Sequence, residues 1–421
     1  SGNVTGTGGS GSPEQWATAI TGTGNIYQPP AVDGSGNSYF VKEDNANNQV
    51  VIQKLSSSGT LSTLANFSWG SATALLQPAG SLATQPIIVG GNVYVGVNGA
   101  WGGLGMDSFR VQGFNLNTGA ATPQFQSNLF STIHGMSEHN GTLFLNTIDG
   151  AATSAIQAID PATMTLDTGF FGGTGSQTPA SGTAVYGSNS NPVFDGDNMW
   201  LALADNSFAP STTILRGFDL AAGGAPLAIG ALTVPGEGPI ESDPVISGGH
   251  VVVATNGGNT ALAGRIHGFN ATTGVAWASS YVLPNANASN QQVNGSLAVG
   301  TGGTIYASTT RGEVHAIDST GNLVATEDVD VANTGGNLVT SPVVDTAGSV
   351  YFGTQEGHVF KYSANLASQT WTHAATNPTP PAASGTEIFL AAGGEYVNLD
   401  DPSAGVTLPA SATIGSGYLA T

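Results

Sequence analysis

The sequence predicts an all-β fold, an eight-bladed β-propeller of four-stranded antiparallel blades with N- and C-terminal extensions. Three observations predict this fold: a short pattern that recurs eight times, a strand–turn–strand signal before most copies, and the lack of helical periodicity. The 421 residues would suit two or three ordinary domains, but one closed ring of repeats accommodates the whole length.

The recurring pattern is an apolar residue, a variable residue, a small residue, an apolar residue and then Asp, Asn or Ser. Its copies lie 37 to 59 residues apart, which is the spacing of propeller blades. The copies are Ile52–Ser56, Val111–Asn115, Ile156–Asp160, Leu215–Asp219, Ile266–Asn270, Val314–Asp318, Val359–Ser363 and Tyr396–Asp400. A strand that is buried on both faces needs apolar or small side chains at every position, and the closing Asp or Asn starts a turn.

A second signal lies before most copies of the pattern. It is a Pro followed by two apolar residues and a turn, as in Pro342–Asp345, and then a strand such as Val350–Phe352. The two signals together predict three strands in each blade. A weaker fourth, outer strand is clearest near Trp277 and Trp371.

These signals resemble the quinoprotein-type propeller repeat over roughly residues 26–402. The resemblance is carried by Phe269–Trp277, Ser341–Asp345 and Val350–Gly353. It implies a propeller fold, in a family that includes pyrroloquinoline-quinone dehydrogenases and non-catalytic BamB-like scaffolds. Those dehydrogenases commonly place two adjacent cysteines at the cofactor, whereas this chain has no cysteine. The resemblance therefore implies a protein closest in character to the BamB-like scaffolds, without a cofactor and without catalysis.

Charge excludes several classes of function. Seven Lys and Arg against 27 Asp and Glu leave a formal net charge of −20, whereas phosphate binding needs clustered basic residues, so we expect no nucleic-acid partner. No apolar run approaches the ~20 residues of a membrane span, so we expect no membrane insertion. The low charged content of 8% is typical of secreted surface proteins, which predicts an extracellular or cell-surface location, with the periplasm as alternative.

Closure of the ring raises a competition between the two ends of the chain. The outer strand of the last blade can come from Gln15–Ile20 or from the segments Gly405–Leu408 and Ala412–Ile414, and only one of the two ends can occupy that position. We expect domain limits of 1–14 for a Gly-rich extension, 15–408 for the propeller, and 409–421 for an extension or closing strand.

The end that is left over predicts self-assembly. A spare strand either wraps its own ring or is donated to a neighbouring copy, and head-to-tail donation produces a polymer. The residues expected to mediate assembly are Val4, Trp16, Ile20, Val406, Leu408, Ile414 and Tyr418.

Other candidate sites are weaker. His134 and Glu138 share one face of a strand and are metal-ligand types, with a polar hairpin as the other interpretation. Asp33–Asn37 and Asp195–Asn198 resemble calcium loops faintly, so structural calcium stays open without assigned ligands. Polar residues two positions before the last apolar residue of the pattern are expected to make structural hydrogen bonds or to bind a polar ligand; they are Gln53, Gln112, Gln157, Arg216, His267 and His315.

The function that the sequence favours is an extracellular, non-catalytic propeller scaffold that self-assembles into a filament or surface layer through donated terminal strands. One alternative is a propeller that binds or cleaves polysaccharide, with Trp101 as the stacking residue and Glu237, Glu241 and Asp243 as an acidic cluster. Another alternative is a periplasmic scaffold for protein assembly.

Overall fold

The computed structural model describes residues 14–19, 26, 28–44, 46–68, 83–100, 107–127, 131–148, 154–177, 185–187, 190–205, 212–234, 242–255, 263–286, 289–290, 292–293, 295–329, 339–354, 358–367, 369–374, 382–384, 387–392 and 395–399. In these ranges the chain forms 36 β-strands and two short 3-10 turns. No helix in this part of the chain is long and apolar enough to cross a membrane.

The first strand of the chain, β1 (Glu14–Ala19), belongs to the last blade, and four blades follow it. Blade 1 contains β2 (Ala31–Val32), β3 (Ser38–Asp44), β4 (Gln49–Leu55) and β5 (Leu61–Ser68). Blade 2 contains β6 (Ile87–Val89), β7 (Asn92–Ala100), β8 (Asp107–Asn115) and β9 (Ala121–Gln126). Blade 3 contains β10 (Thr132–His139), β11 (Thr142–Ile148), β12 (Ser154–Asp160), β13 (Thr165–Leu166) and β14 (Ser176–Gln177), with a 3-10 turn at Phe171–Gly173. Blade 4 contains β15 (Val185–Gly187), β16 (Val193–Asp195), β17 (Asn198–Asp205), β18 (Thr212–Asp219) and β19 (Ala225–Val234).

The second half of the chain forms four more blades. Blade 5 contains β20 (Val245–Ser247), β21 (His250–Thr255), β22 (Arg265–Asn270) and β23 (Tyr281–Val282), followed by a hairpin of β24 (Asn285–Ala286) and β25 (Ser289–Asn290). Blade 6 contains β26 (Ala298–Val299), a 3-10 turn at Thr301–Gly303, β27 (Ile305–Ser308), β28 (Glu313–Ile317) and β29 (Leu323–Asp328). Blade 7 contains β30 (Val343–Val344), β31 (Val350–Thr354), β32 (His358–Tyr362) and β33 (Gln369–Ala374). Blade 8 contains β34 (Ala382–Ser384), β35 (Glu387–Ala392) and β36 (Glu395–Leu399), together with β1.

The blades are arranged around a ring. The first strands of neighbouring blades contact one another in the series β34, β2, β6, β10 and again in the series β16, β20, β26, β30, β34. First strands such as β2, β6 and β30 are half-buried, β3 is buried along its whole length, and the outer strand β9 alternates between half-buried and exposed. The predicted eight-bladed, antiparallel β-propeller is confirmed, with the correction that blades 3 and 4 each contain a fifth short strand.

The small residue of the repeat lies opposite a large ring on the neighbouring strand. Gly113 is paired with Tyr94 and Gly217 with Trp200, and a Cβ atom built on Gly113 would lie 2.4 Å from the Tyr94 ring. In blade 5 the position opposite Gly268 is Val252, and Trp277 of the outer region covers the glycine instead. The small residue is therefore required because an aromatic ring occupies the space of its side chain.

Two repeats carry Lys where the pattern expects a small residue, and the same ring explains both. Lys54 is paired with Tyr39 and Lys361 with Tyr351, and each ammonium group lies over its ring, 5.6 Å and 5.4 Å from the centroid. A long, flexible stem passes along the ring face and a cation–π contact compensates the charge. Lys54 also donates to the backbone oxygen of Leu116 in blade 2, at 3.0 Å.

Apolar packing joins the blades in pairs. Tyr39, Val50 and Phe67 of blade 1 pack with Val93 and Val95 of blade 2, and equivalent clusters join each further pair of neighbours up to blades 6 and 7. Blades 2 to 6 are thus each a layer with apolar packing on both faces.

The closing Asp or Asn of the pattern organises a tight turn. The side-chain oxygen of Asn270 accepts the backbone N–H groups of Thr272 and Thr273, at 3.0 Å and 2.8 Å, and Gly274 follows with φ of 72°. The same geometry recurs at Asn115. These are the turns that the sequence predicts.

We expect Gly268→Ala to destabilise the ring, because a Cβ atom at this position would lie 2.1 Å from the Trp277 ring. The free energy of unfolding should fall by about 1–3 kcal/mol, the usual cost of overpacking. Chemical denaturation followed by tryptophan fluorescence measures it. The control is Gly34→Ala, where no atom lies within 4 Å of the new Cβ, and an equal loss in both variants would contradict the packing argument.

Candidate assembly site

The closing blade combines both ends of the chain. Strand β1 pairs antiparallel with β36, which pairs in turn with β35, so the outer strand of blade 8 comes from the N-terminal side. The register joins Trp16 to Asn398 and Ala19 to Glu395, with a bulge between Glu14 and Trp16. Of the two candidate closing strands in the sequence, the structure places the N-terminal one in this position.

The predicted assembly residues divide accordingly. Trp16 lies in β1, within the sheet of its own molecule. The other six lie outside the described residues; they are Val4, Ile20, Val406, Leu408, Ile414 and Tyr418. The predicted domain limit at 408/409 also lies outside them, whereas β1 begins at Glu14, one residue before the predicted start of the propeller.

A belt of polar residues links blades 3 to 7 where the chain enters the first strands. The interblade belt consists of the polar residues Asn191, Asp243, Ser296 and Ser341, together with the backbone N–H of Met136. The backbone N–H of Met136 donates to Asn191 Oδ1 at 2.9 Å, and that of Asn191 donates to Asp243 Oδ1 at 2.6 Å. Ser296 Oγ donates to Asp243 Oδ2 at 3.1 Å, and its backbone N–H donates to Ser341 Oγ at 2.8 Å. Each contact joins neighbouring blades, so the belt fixes their spacing.

Asp243 is the centre of the belt. Its carboxylate accepts three hydrogen bonds, from the backbone and side-chain nitrogens of Asn191 and from Ser296. Burial raises the pKa of this carboxyl above its usual range, although the hydrogen bonds from Asn191 and Ser296 act in the opposite direction. The predicted acidic cluster with Glu237 and Glu241 has only Asp243 in the described residues, where it joins blades.

A signal for the belt is present in the sequence and was not recognised from it. Asn191, Asp243 and Ser341 each stand directly before a Pro, two residues before a first strand, and Ser296 has the same place before β26. At Asn191, Asp243 and Ser341 the following Pro holds the chain extended, so that a short polar side chain reaches a neighbouring blade.

The candidate metal ligands of blade 3 are bound to protein groups. His134 Nε2 lies 3.0 Å from Thr132 Oγ1, and Glu138 accepts the backbone N–H of Gly141 at 2.7 Å. The neighbouring His139 stacks on Phe194 and lies 3.2 Å from Asp197 of blade 4. These contacts are those of a polar hairpin, which is the other interpretation that the sequence allows for His134 and Glu138.

The faint calcium loops are hydrogen-bonded hairpin turns in the structure. The Asp33 carboxylate accepts from the backbone of Ser35 and Asn37, from the Asn37 amide and from the Tyr39 hydroxyl. Burial raises the pKa of Asp33, but these donors outweigh it and the net shift is downward. The protein thus supplies the donors that stabilise this carboxylate.

The polar column makes structural contacts where its partners are described. Gln112 Nε2 donates to the backbone oxygen of Thr122 at 2.9 Å, and His267 Nε2 lies 3.4 Å from Thr255 Oγ1. The remaining members, Gln53, Gln157 and Arg216, lie in β4, β12 and β18, on third strands of their blades.

His315 forms the most elaborate cluster of the column. The fully buried ring has Nδ1 at 3.0 Å from Tyr281 Oη of blade 5 and at 3.1 Å from Thr326 Oγ1, while Nε2 lies 3.0 Å from Glu313 Oε2. Burial raises the pKa of the Tyr281 hydroxyl, and the negative charge of Glu313 acts in the same direction. The arrangement keeps tyrosine and imidazole in a hydrogen-bonded link between two blades.

The residues present do not fit the metal-bound quinone of the dehydrogenase relatives. The chain has no cysteine for the adjacent pair that the resemblance implies. Within the described ranges, no three His, Asp or Glu side chains lie together as ligands for a metal ion.

One family model matches part of the chain by sequence. The family described as "Outer membrane protein assembly factor BamB" matches residues 231–405, a range that contains the end of blade 4, blades 5 to 7 and three of the four strands of blade 8. Among curated proteins, none matches the chain by sequence.

Solved structures show the same fold at low sequence identity. BamB from Moraxella catarrhalis is 13% identical with a TM-score of 0.58, over 90% of this chain and 99% of that chain. The Dos1 propeller is 11% identical with a TM-score of 0.62, over 93% and 96%. A europium-containing methanol dehydrogenase is 13% identical with a TM-score of 0.50, over 74% and 75%.

We expect the relative stability of Asp243→Asn to depend on pH. A raised native pKa means that ionising Asp243 costs stability, so wild-type stability from this group falls as the pH rises above the unfolded pKa of about 3.9. The melting temperature of Asp243→Asn relative to wild type should therefore increase between pH 5 and pH 8 in differential scanning calorimetry.

The matched control is Asp318→Asn. Hydrogen bonds from Asn322 and Thr320 overcome the effect of burial and lower the pKa of Asp318 to about 2, so this group stays ionised throughout the same range. Its difference from wild type should be constant between pH 5 and pH 8. A constant difference for Asp243→Asn as well would show that its carboxyl does not titrate there.

Proposed function

We propose that this β-propeller, which resembles the quinoprotein-type (PQQ) repeat family and matches one of its family models over residues 231–405, is an exported, non-catalytic scaffold that polymerises. In this proposal the segment 406–414 of one copy pairs as a strand with a neighbouring ring, which produces a filament or surface layer. The partner is a second copy of the chain, and no cofactor takes part.

The observation that carries the proposal is the occupied outer position of blade 8. Strand β1 pairs with β36 along Trp16 to Ala19, so the closing blade is complete without the residues that follow Leu399. We infer that segment 406–414, which contains most of the two C-terminal candidates for a closing strand, is then available to pair elsewhere. Donation to another ring gives its backbone groups partners.

The sequence of segment 406–414 supports this role. Val406, Leu408, Ala410, Ala412 and Ile414 alternate with Thr407, Pro409, Ser411 and Thr413, which is the pattern of a strand with one apolar face. Residues 402–421 contain no Asp, Glu, Lys, Arg or His, although the whole chain has a net charge of −20. An uncharged strand approaches an acidic ring without the repulsion that two rings exert on each other.

Pro409 determines which side of this strand can pair. In a strand, alternate residues direct their backbone groups to opposite edges, and a Pro has no N–H to donate. Pro409 therefore belongs on the outward edge, together with Thr407, Ser411 and Thr413. The backbone N–H and C=O groups of the even-numbered residues then point to the accepting strand. Because Pro409 lies at the other edge, a further strand cannot pair regularly there, and the donated strand ends the sheet.

A second candidate function is favoured by the family match at residues 231–405. That family is described as an outer-membrane protein assembly factor, and a scaffold of this kind would use the ring without segment 406–414. Trp101, the residue that supports the polysaccharide alternative, lies outside the described residues, so no structural observation favours that function.

We expect Ala412→Pro to prevent polymerisation and Ser411→Pro to preserve it. The first variant removes an N–H from the pairing edge, whereas the second removes one from the outward edge of the same segment. The critical concentration for assembly should rise at least about tenfold in Ala412→Pro alone. Electron microscopy and sedimentation measure it.

Deletion of residues 405–421 should leave only single rings with an unchanged melting temperature, since blade 8 is closed by β1. Equal assembly of the two proline variants would contradict strand pairing. Single rings of the full chain at high concentration would contradict polymerisation and favour the second candidate function.

A further inference from the structure

Arg216 differs from the other cations of this chain. All seven Lys and Arg lie in the described residues, and each of them is buried or half-buried. Six of them take part in a hydrogen bond, a ring contact or another electrostatic contact; they are Lys42, Lys54, Arg110, Arg265, Arg311 and Lys361. Among the described residues, none contacts the guanidinium of Arg216 in any of these ways, and its Nε atom is buried without a hydrogen-bond partner.

An unpaired guanidinium is costly at this place. A charged group that leaves water needs an opposite charge or hydrogen-bond acceptors for its donors. Gln157 of the same polar column also has a buried oxygen without a partner, but a neutral amide is less costly to bury than a charge. The column members Gln112, His267 and His315 have partners in their own blade or in a neighbouring one. Arg216 therefore fits the other role that the sequence allows for this column, which is the binding of a polar ligand.

The side chain of Arg216 faces blade 3. Arg216 is paired with Leu201 on β17, and Leu201 packs in the apolar cluster that joins blades 3 and 4. Phe218, two residues further along β18, belongs to the same cluster. Residues that are paired across two strands, or that lie two apart on one strand, project from the same face of a sheet. The guanidinium is therefore directed between blades 3 and 4.

The outer strand of blade 4 leaves the regular ladder at this residue. Between Arg216 and Phe218 strand β18 advances two positions, whereas the paired stretch of β19 advances five. In blade 2 the corresponding step is two positions against three. Leu227 and Ile229 of this wide bulge pack on the apolar cluster of blades 4 and 5, which is the face opposite to Arg216. Bulges that redirect the chain in this way are common beside functional sites.

Blade 3 has an interrupted outer strand on the facing side. Its outer position is shared by β13 and β14, which are two residues long each and are separated by nine residues. Gln177 of β14 is paired with Ile156, a member of the cluster between blades 3 and 4, so Gln177 projects towards blade 4. In the repeat pattern Ile156 has the place of Leu215, next to Arg216. The half-buried amide of Gln177 offers hydrogen-bonding groups at this level without a negative charge.

We propose that Arg216 binds a carboxylate that comes from outside the ring. The planar fork of a guanidinium matches the two oxygens of a carboxylate in a bidentate pair. Charge favours a carboxylate as well, because it brings one negative charge towards a chain with a net charge of −20, whereas a phosphate group brings up to about two. Arg216 is half-buried, so part of the residue remains open to solvent.

Two sources can supply this carboxylate. One is an acidic side chain of a second copy, because the chain has 27 Asp and Glu and no exposed Lys or Arg that could bind them. The other is a small molecule or a glycan that carries a carboxyl group. The chemistry at Arg216 is the same in both cases. It does not depend on strand donation by segment 406–414.

The first test observes Arg216 by nuclear magnetic resonance. The chain has four Arg, so isotope-labelled arginine gives four Nε–H signals, and the signal that is lost in Arg216→Lys belongs to Arg216. Sodium acetate replaces sodium chloride at constant ionic strength. We expect the Arg216 signal to shift with acetate, and the signals of Arg110, Arg265 and Arg311 to stay constant.

The protein concentration distinguishes the two sources. A shift of the Arg216 signal with protein concentration, in the absence of acetate, indicates a carboxylate of a second copy. A shift with acetate alone indicates a small carboxylate. An Arg216 signal that responds to neither would overturn the proposal. Single rings of the full chain that still bind acetate at Arg216 would contradict polymerisation and leave this site standing.

The second test measures the melting temperature of the dilute ring in a buffer without carboxylates. Arg216→Met removes a charge that has no partner, so the melting temperature should rise by about 1–3 °C. The control is Lys54→Met, which removes a half-buried cation that donates to Leu116 and lies over Tyr39, so its melting temperature should fall. A fall in both variants would show that Arg216 stabilises the ring through internal contacts, which also overturns the proposal.

Discussion

The structure depends on one contact that recurs in the blades, a large ring on the second strand covering a small residue on the third. Tyr94 covers Gly113, Trp200 covers Gly217, and Tyr306 is paired with Ala316. The contact sets the register of the two central strands, because a shift of one residue would bring two large side chains together. It also keeps the thickness of each blade nearly constant, which allows eight of them to stack around a ring.

The apolar clusters and the interblade belt hold neighbouring blades together at two different places. The clusters join blade faces, while Asn191, Asp243 and Ser296 join the points where the chain enters the first strands. A carboxylate can be accommodated there because three donors converge on it, although burial still opposes its charge. The belt thus gives several polar groups at the entrance of the first strands a partner on a neighbouring blade.

Sequence reasoning succeeded where a residue type has one physical explanation. The repeat predicted the blades, and the polar column predicted structural hydrogen bonds such as that of Gln112. It did not identify the interblade belt, because a single Asp before a Pro has the same local appearance whether it faces solvent or another blade. The partners of Asp243 lie 52 and 53 residues away along the chain. The place of Asp243 before a Pro is visible in the sequence, but its partners on other blades are not.

The sequence by itself determined the class of fold and the number of repeats, because both follow from side-chain periodicity and spacing. It also showed that both ends of the chain contain a strand-like segment, whereas the ring has one position for a closing strand. Only the tertiary structure decided which segment closes the ring, because β1 and segment 406–414 both have strand-like sequences and the choice depends on competition for one edge of β36. It also decided which apolar side chains of the described outer strands stay exposed. Exposure of Leu323 and Val324 depends on what neighbouring blades cover, and that is a property of the assembled ring.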